Sequence, residues 1–343
     1  MAIETTHNHD VLWSSLEGQD MQIPNLIALL PEGEEKMKLH PEYKKCRDEV
    51  LNPWIRRWTN NDTTCQALQK GEFGLFAAMI CADASYDKLC TVAKFFAWYY
   101  LWDDLFDHDT LRHETAHGMS DNRRVSITYI AHQLLPENKD NAEAPDLDSY
   151  PEQLVKALRA WDEIGVHIRQ DCSEGTRKVL CDAMTEYMDS VGAVNALFAD
   201  GKKPTVQEFV AGLDITSSDV AGDQMKALWR DTSYFVHIKS SYADGQIENL
   251  IPVLVLNKDV PIKDAVDEAY ELANNHITSL EASASALERD DISQPVSRAF
   301  AKGCKDLVAA LVHWNYEGGR YLNDRKLDDE GVFHFQIEKC REK

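Results

Sequence analysis

The chain has 343 residues, 44% of them hydrophobic, and its 36 basic and 58 acidic residues give a formal net charge of -22. This length and apolar content suffice for a buried core. The strong negative charge argues against nucleic acid or an anionic membrane surface as a partner. No apolar run approaches the roughly 18 residues of a membrane span, and the N-terminus lacks the features of a signal peptide, so we expect a cytosolic protein.

The first 25 residues are polar and irregular, and we predict a flexible N-terminal segment over 1–25 and one helical domain over 26–343. Proline and glycine are sparse, at 11 and 16. Most segments between them have helical periodicity, and the clearest are 153–168, 177–194, 262–287 and 296–316.

Three further segments complete this reading of the chain. The stretches 136–151 and 201–204 are rich in breakers and predict loops between helices. The apolar run 250–256 fits either a strand or a buried helix, and Pro252 weighs against the strand. The sequence therefore predicts an all-α fold.

The eight cysteines are dispersed and include no Cys-x-x-Cys pair, so we predict buried free thiols.

The most informative run is 95–107, where a long aromatic stretch ends in Asp103, Asp104 and Asp107. Carboxylates at a helix C-terminus are unfavourable without a cation, because the helix dipole is negative there. A solvated helix end is the alternative interpretation. One stripe at helical spacing carries two of the acids and predicts that they point inward: Leu89, Val92, Phe96, Tyr99, Asp103 and Asp107.

Two other segments belong with this acidic run. Arg320 and Tyr321 follow Trp314 near the C-terminus, and 245–254 reads Gly-Gln-Ile-Glu-Asn-Leu-Ile-Pro-Val-Leu. Asp-Asp-Leu-Phe-Asp at 103–107 resembles the DDxxD motif of class I terpene synthases. The Arg-Tyr pair and the 245–254 segment resemble further motifs of that family, especially of its microbial and fungal sesquiterpene cyclases.

The resemblance implies a helical bundle around a central active-site cavity. It implies that Asp103 and Asp107 bind Mg²⁺, that Asp104 lies behind them, and that Arg320 and Tyr321 bind the substrate diphosphate. The implied enzyme is a carbon–oxygen lyase acting on phosphates, with farnesyl diphosphate as the expected substrate and a sesquiterpene as product. The resemblance implies a monomer or a weak homodimer.

Aromatic side chains are expected to line the cavity of such an enzyme, because aromatic faces stabilise a carbocation and exclude water. The candidates are Phe76, Phe96, Tyr99 and Trp314. For each of them, ordinary core packing is the alternative.

The second metal motif of the family, NDxxSxxxE, is not intact in this sequence. The usual spacing before Gly245 gives Ser233, His237 and Ser241 at the ligand positions. A shifted register over 236–244 supplies Ser240 and Asp244 as metal ligands but has valine in place of asparagine. A neutral serine hydroxyl is a weak ligand for a hard dication.

The departure extends over residues 214–243, and the arginine that senses diphosphate in the family is absent from the preceding stretch. Arg230 and Lys239 are candidate substitutes. The alternative to an active cyclase is therefore an impaired or inactive relative that retains the bundle.

Two other enzyme classes are less well supported. A chain-elongating prenyl diphosphate synthase shares the helical fold but needs a second aspartate-rich motif, and we find none. His113-Glu-Thr-Ala-His117 matches the HExxH zinc-protease signature, but no third ligand follows at the metzincin spacing.

Overall fold

The computed structural model describes residues 16, 18–31, 37–107, 111, 116–141, 143–198, 205, 250–289, 294–319 and 326–337. The chain divides into two compact units, which we name by their place in the sequence. The central unit comprises Lys38–Gly192 and Gly318–Arg320; the terminal unit comprises Met1–Met37, Ala193–Glu317 and Tyr321–Lys343. The fold class is all-α, as predicted.

The central unit begins with a helical stretch that changes type twice. Helix α1 (Tyr43–Lys45) leads into a π-helical segment (Cys46–Leu51) and then into α2 (Asn52–Trp58). Pro53 has no N–H, so it cannot bond to the carbonyl four residues earlier, within the π-helical segment. The missing donor gives a physical reason for the local change of hydrogen-bond pattern.

The remaining helices of the central unit are listed here in chain order. They are α3 (Asp62–Lys70), α4 (Phe73–Ile80), α5 (Tyr86–Asp107), α6 (Ala116–Leu134), α7 (Glu152–Arg159), α8 (Trp161–Asp171) and α9 (Glu174–Phe198), which continues past the unit boundary. Between α6 and α7 lies the predicted loop, with one short 3₁₀ turn at Lys139–Asn141.

Helix α5 is the centre of this unit and packs against α4, α7, α8 and the π-helical segment. Two fully buried indoles fix it in place. Trp98 donates a hydrogen bond from Nε1 to the Ala157 carbonyl at 2.7 Å, and Trp102 donates one to Ser126 Oγ at 3.0 Å. Since a buried indole N–H needs an acceptor, these bonds specify how α5 sits against α6 and α7.

Three described α-helices lie wholly within the terminal unit: α10 (Leu250–Lys258), α11 (Ile262–Glu288) and α12 (Gln294–Glu317). The run that fitted either a strand or a buried helix is thus helical, with Pro252 in the first turn, where a missing N–H costs little. Helix α11 packs against both α10 and α12.

A small antiparallel sheet accompanies these helices and was not predicted from the sequence. Strands β1 (Asp20–Ile23), β2 (Lys326–Leu327) and β3 (Phe333–Gln336) lie in the order β1-β3-β2. The adjoining Leu26 N–H donates to Tyr316 Oη at 2.8 Å, which ties this end of the chain to α12. The predicted boundary at residue 25 and the single-domain assignment stay predictions.

Seven cysteines lie in the described part of the chain, and all are free thiols, as predicted; five are buried, whereas Cys81 and Cys172 are half-buried. Among the described helices, none combines the length and apolarity of a membrane-spanning segment.

Candidate active site

The candidate site lies at the C-terminal end of α5. Asp103 and Asp104 stand there with half-buried side chains, and Asp107 is the last residue of the helix. The last turn of α5 carries no basic residue that would complement the negative end of the helix dipole. The carboxylates therefore add to the negative charge of this helix end.

A buried tyrosine on α9 is hydrogen-bonded to Asp103. Tyr187 is 5% exposed, and its phenol donates a hydrogen bond to Asp103 Oδ1 at 2.6 Å. Its ring stacks on Tyr99, with centroids 4.3 Å apart and planes 26° apart, and also contacts Trp102 at 5.8 Å. Burial, followed by the negative charge of Asp103, holds the pKa of the Tyr187 phenol well above its ordinary value. The phenol is therefore a neutral donor at physiological pH.

The stripe of α5 that carries Asp103 is not the most deeply buried one, contrary to the sequence interpretation. Val92, Phe96 and Tyr99 are half-buried, like Asp103. Leu89, at the start of this stripe, is buried, and most of the other buried side chains lie on the adjacent face: Ala93, Ala97, Trp98, Leu101, Trp102, Leu105 and Phe106. Because α5 is apolar on nearly every side, its periodicity did not identify the core face.

The half-buried position suits a functional stripe better than a core position would. Side chains that pack fully in a core have no access to a ligand, whereas Phe96, Tyr99 and Asp103 keep part of their surface uncovered.

The four predicted pocket aromatics differ in their surroundings. Phe76 on α4 is 3% exposed and packs against Phe96, with ring centroids 4.4 Å apart. Trp314 is 1% exposed and belongs to the core of the terminal unit. Phe96 and Tyr99 retain partial exposure on α5.

Several predicted site residues fall outside the described part of the structure. They are Ser240, Asp244, Arg320, Tyr321 and the side chain of Asp107. The same holds for His113 and for the side chain of His117 in the HExxH match. The last described residue before Arg320 is Gly319, whose N–H donates to the Lys70 carbonyl at 3.1 Å.

The described residues agree in chemistry with a magnesium site without completing one. Carboxylate oxygens are the ligands that Mg²⁺ prefers, and one or two protein carboxylates commonly suffice when a substrate supplies phosphate oxygens. Within the described residues, no group of three or more His, Cys, Asp or Glu side chains is placed to hold a metal ion. Asp103 and Asp104 are carboxylates of the kind that the DDxxD motif supplies, and the other ligands of a complete site would have to come from residues outside the described part of the chain or from a substrate.

Tyr187 is the residue at this site that the sequence analysis missed. It lies on an apolar stripe of α9 with the buried residues Cys181, Met184 and Met188. A tyrosine on such a stripe needs an acceptor for its hydroxyl, which was the available signal. The identity of that acceptor depends on how α9 packs against α5, which the local sequence does not state.

Comparisons with known proteins agree with this geometry. The family model described as "Terpene synthase family 2, C-terminal metal binding" matches residues 94–219. A protein of Selaginella moellendorffii named microbial terpene synthase-like protein 1 is 30% identical over 317 residues, covering 82% of this chain and 86% of that protein. The chain belongs to the class I terpene synthase family.

Further relatives of this terpene synthase are more distant in sequence. The sesquiterpene cyclase hepA of Aspergillus oryzae is 23% identical over 306 residues, covering 79% of this chain and 82% of that protein. The crystal structure of germacradien-4-ol synthase from Streptomyces citricolor has the same fold, with a TM-score of 0.62 and 14% identity over 83% of this chain and 97% of that one.

The family-model match includes the acidic run and Tyr187 and ends within the stretch 214–243, where the sequence departs from the family pattern. The first half of the expected metal site thus lies in the matched part of this terpene synthase, and Ser240 and Asp244 lie beyond it.

Proposed function

We propose that this protein is a Mg²⁺-dependent terpene cyclase that ionises farnesyl diphosphate and releases a sesquiterpene and diphosphate. The observation that carries the proposal is the oriented carboxylate of Asp103 at the dipole-negative end of α5, in a chain of the terpene synthase family. Carboxylates placed against the helix dipole and fixed from a second helix favour a site for an external cation.

Each acidic residue has a proposed role. Asp103 and Asp107, one helical turn apart along α5, would hold Mg²⁺, and Asp104 would support them from behind. Bound Mg²⁺ supplies charge neutralisation for the departing diphosphate. The protein carboxylates would hold the positive charge of the metal at one end of α5, where the Tyr187 phenol is hydrogen-bonded to Asp103.

The C-terminal pair has the complementary role. Arg320 and Tyr321 would donate hydrogen bonds to the diphosphate oxygens, which gain negative charge as the carbon–oxygen bond breaks. Donors that strengthen as charge develops lower the barrier to ionisation rather than merely tightening substrate binding.

The remaining allylic cation needs surroundings that exclude water and stabilise positive charge. Tyr99 and Phe96 are the best-placed candidates, because both are on the Asp103 stripe of α5 and both keep partial exposure. Phe76 supports Phe96 from α4, whereas the 1% exposure of Trp314 favours the alternative of core packing for that residue.

Farnesyl diphosphate is proposed because relatives are named as sesquiterpene cyclases and synthases, such as the hepA protein. Ser240 and Asp244 are the proposed remaining metal ligands. If Ser240 and Asp244 do not bind metal, the chain is the impaired relative instead. An assay for sesquiterpene formation distinguishes the active cyclase from the impaired relative.

The assay incubates purified protein with farnesyl diphosphate and Mg²⁺ and analyses the headspace by gas chromatography and mass spectrometry. We expect a sesquiterpene that disappears when EDTA is added. Geranyl and geranylgeranyl diphosphate in parallel reactions test the chain length. No product from any of the three substrates, with a folded protein and a competent control cyclase, would refute the proposed activity.

A further inference from the structure

The contact between α5 and α9 assigns a role to a residue outside any recognised motif. We propose that Tyr187 is a positioning residue that orients the Asp103 carboxylate for metal binding. The inference rests on the function proposed above, because it takes Asp103 to be a metal ligand. What it adds is that the affinity of the site for metal depends on the side chain of Tyr187 on α9.

The phenol of Tyr187 is held in one position by its surroundings. Its ring is stacked on Tyr99 at 4.3 Å and contacts Trp102 at 5.8 Å, and the residue is 5% exposed. Tyr99 and Trp102 belong to the same helix as Asp103. Rotation of the Tyr187 ring would disrupt this aromatic packing, so the packing of α9 on α5 sets the position of the hydroxyl oxygen.

The hydrogen bond is compatible with simultaneous metal binding. A carboxylate offers about four acceptor positions, and the 2.6 Å bond to Oδ1 uses one of them. A neutral donor also leaves the negative charge of Asp103 in place. A guanidinium partner, such as Arg47 beside Asp48, would instead compete with a cation for that charge.

Outer hydrogen bonds of this kind affect metal affinity by restricting the orientation of a ligand. Removing one typically costs about 10–100-fold in metal affinity or activity. A purely structural hydrogen bond would lower stability and leave metal binding unchanged. The two roles are therefore separable by experiment.

The central unit contains a matched control. Tyr129 on α6 is fully buried, and its hydroxyl also donates to an aspartate, Asp162 on α8. Tyr187→Phe and Tyr129→Phe each remove one buried phenol hydroxyl from a tyrosine–aspartate pair. They differ in whether that aspartate belongs to the DDxxD motif.

The experiment titrates inorganic diphosphate into the full-length protein in the presence of Mg²⁺ and follows binding by calorimetry. We expect Y187F to weaken Mg²⁺-dependent binding about 10-fold or more, with Y129F close to wild type. Mn²⁺ binding, followed by electron paramagnetic resonance, should weaken in the same variant. Wild-type affinity in Y187F, or equal losses in both variants, would overturn the proposal.

Asp103→Asn separates this inference from the proposed function. If D103N binds Mg²⁺ and diphosphate as wild type does, the metal-site assignment itself fails, and the role of Tyr187 fails with it. If D103N is impaired and Y187F is not, the metal site stands and only the positioning role is refuted.

A second measurement avoids dependence on the folding of Y187F. Incorporation of 3-fluorotyrosine at position 187 or 129 preserves the ring and the hydroxyl. The fluorine resonance at position 187 should shift when Mg²⁺ and diphosphate are added, whereas that at position 129 should not. An unshifted resonance at position 187 would contradict the proposal.

Discussion

In the described part of the central unit, two buried tyrosines each donate a hydrogen bond to a half-buried aspartate, and the two aspartates lie at opposite ends of their helices. Asp162 lies in the first turn of α8, where the helix dipole stabilises a negative charge, and it accepts hydrogen bonds from Tyr129 and from Gln133 Nε2. Asp103 lies near the C-terminal end of α5, where the dipole opposes its charge. The position of Asp162 therefore stabilises the folded protein, whereas that of Asp103 favours the binding of a cation.

The side chains that surround the two tyrosines also differ in chemistry. Arg159 donates to the Tyr129 hydroxyl at 3.1 Å, and Arg169 donates to the Gln133 carbonyl, so cationic side chains are built into the Asp162 region. Tyr187 is instead enclosed by the aromatic rings of Tyr99 and Trp102. The Tyr129 hydroxyl is therefore part of a polar network that includes arginines, whereas the ring contacts of Tyr187 are aromatic.

The largest expected effect is that of Asp103→Asn on catalysis. We expect terpene formation to fall about 100-fold or more, as when a group that stabilises transition-state charge is removed. The measurement is the initial rate of product release at saturating Mg²⁺. Asp162→Asn is the matched control and should retain most of the rate per folded molecule. Similar losses of rate in both variants would remove the functional distinction between the pairs.

Asp162→Asn should have its main effect on stability. Loss of the carboxylate weakens the hydrogen bonds from Tyr129 and Gln133, and we expect the free energy of unfolding to fall by about 1–3 kcal/mol. Urea denaturation measures this difference. An unchanged midpoint would mean that the Asp162 network contributes little to the fold.

The smallest predicted effect concerns alkaline pH. Burial and the hydrogen bond to Asp162 raise the pKa of Tyr129 from 10.0 to about 12. Since the folded state holds this proton more tightly than the unfolded state, the stabilisation is complete below pH 10 and is lost as the pH rises towards 12. The unfolding free energy should therefore decline less steeply over this range in Tyr129→Phe than in wild type. If the unfolding free energies of the two proteins fell equally steeply with pH, the raised pKa of Tyr129 would be contradicted.

The sequence predicted the long helices well because their signals are local. The expected helix over 262–287 is observed as Ile262–Glu288, directly after Pro261, and that over 296–316 as Gln294–Glu317. The expected helix over 153–168 is divided at Ala160 into α7 and α8. No glycine or proline marks that division, so the local sequence gave no sign of it.

The features that the sequence did not predict depend on contacts between distant residues. Strand β1 pairs with β3, more than 300 positions further along the chain (Asp20 with Gln336), and both strands are only four residues long. The acids of the candidate site were recognisable because they are neighbours in sequence. Tyr187 is 84 positions from Asp103, and only the packing of α9 on α5 brings the two together.

The most direct test compares the unfolding free energies of wild type, D103N and D162N, without metal and with Mg²⁺ and diphosphate. Without metal, we expect D103N to lose less stability than D162N, because the weakened hydrogen bond from Tyr187 is offset by removal of a charge that the helix dipole opposes. Added Mg²⁺ and diphosphate should stabilise wild type and D162N but not D103N. The account would be contradicted if D103N were as destabilised as D162N in metal-free buffer and still gained stability from the ligands.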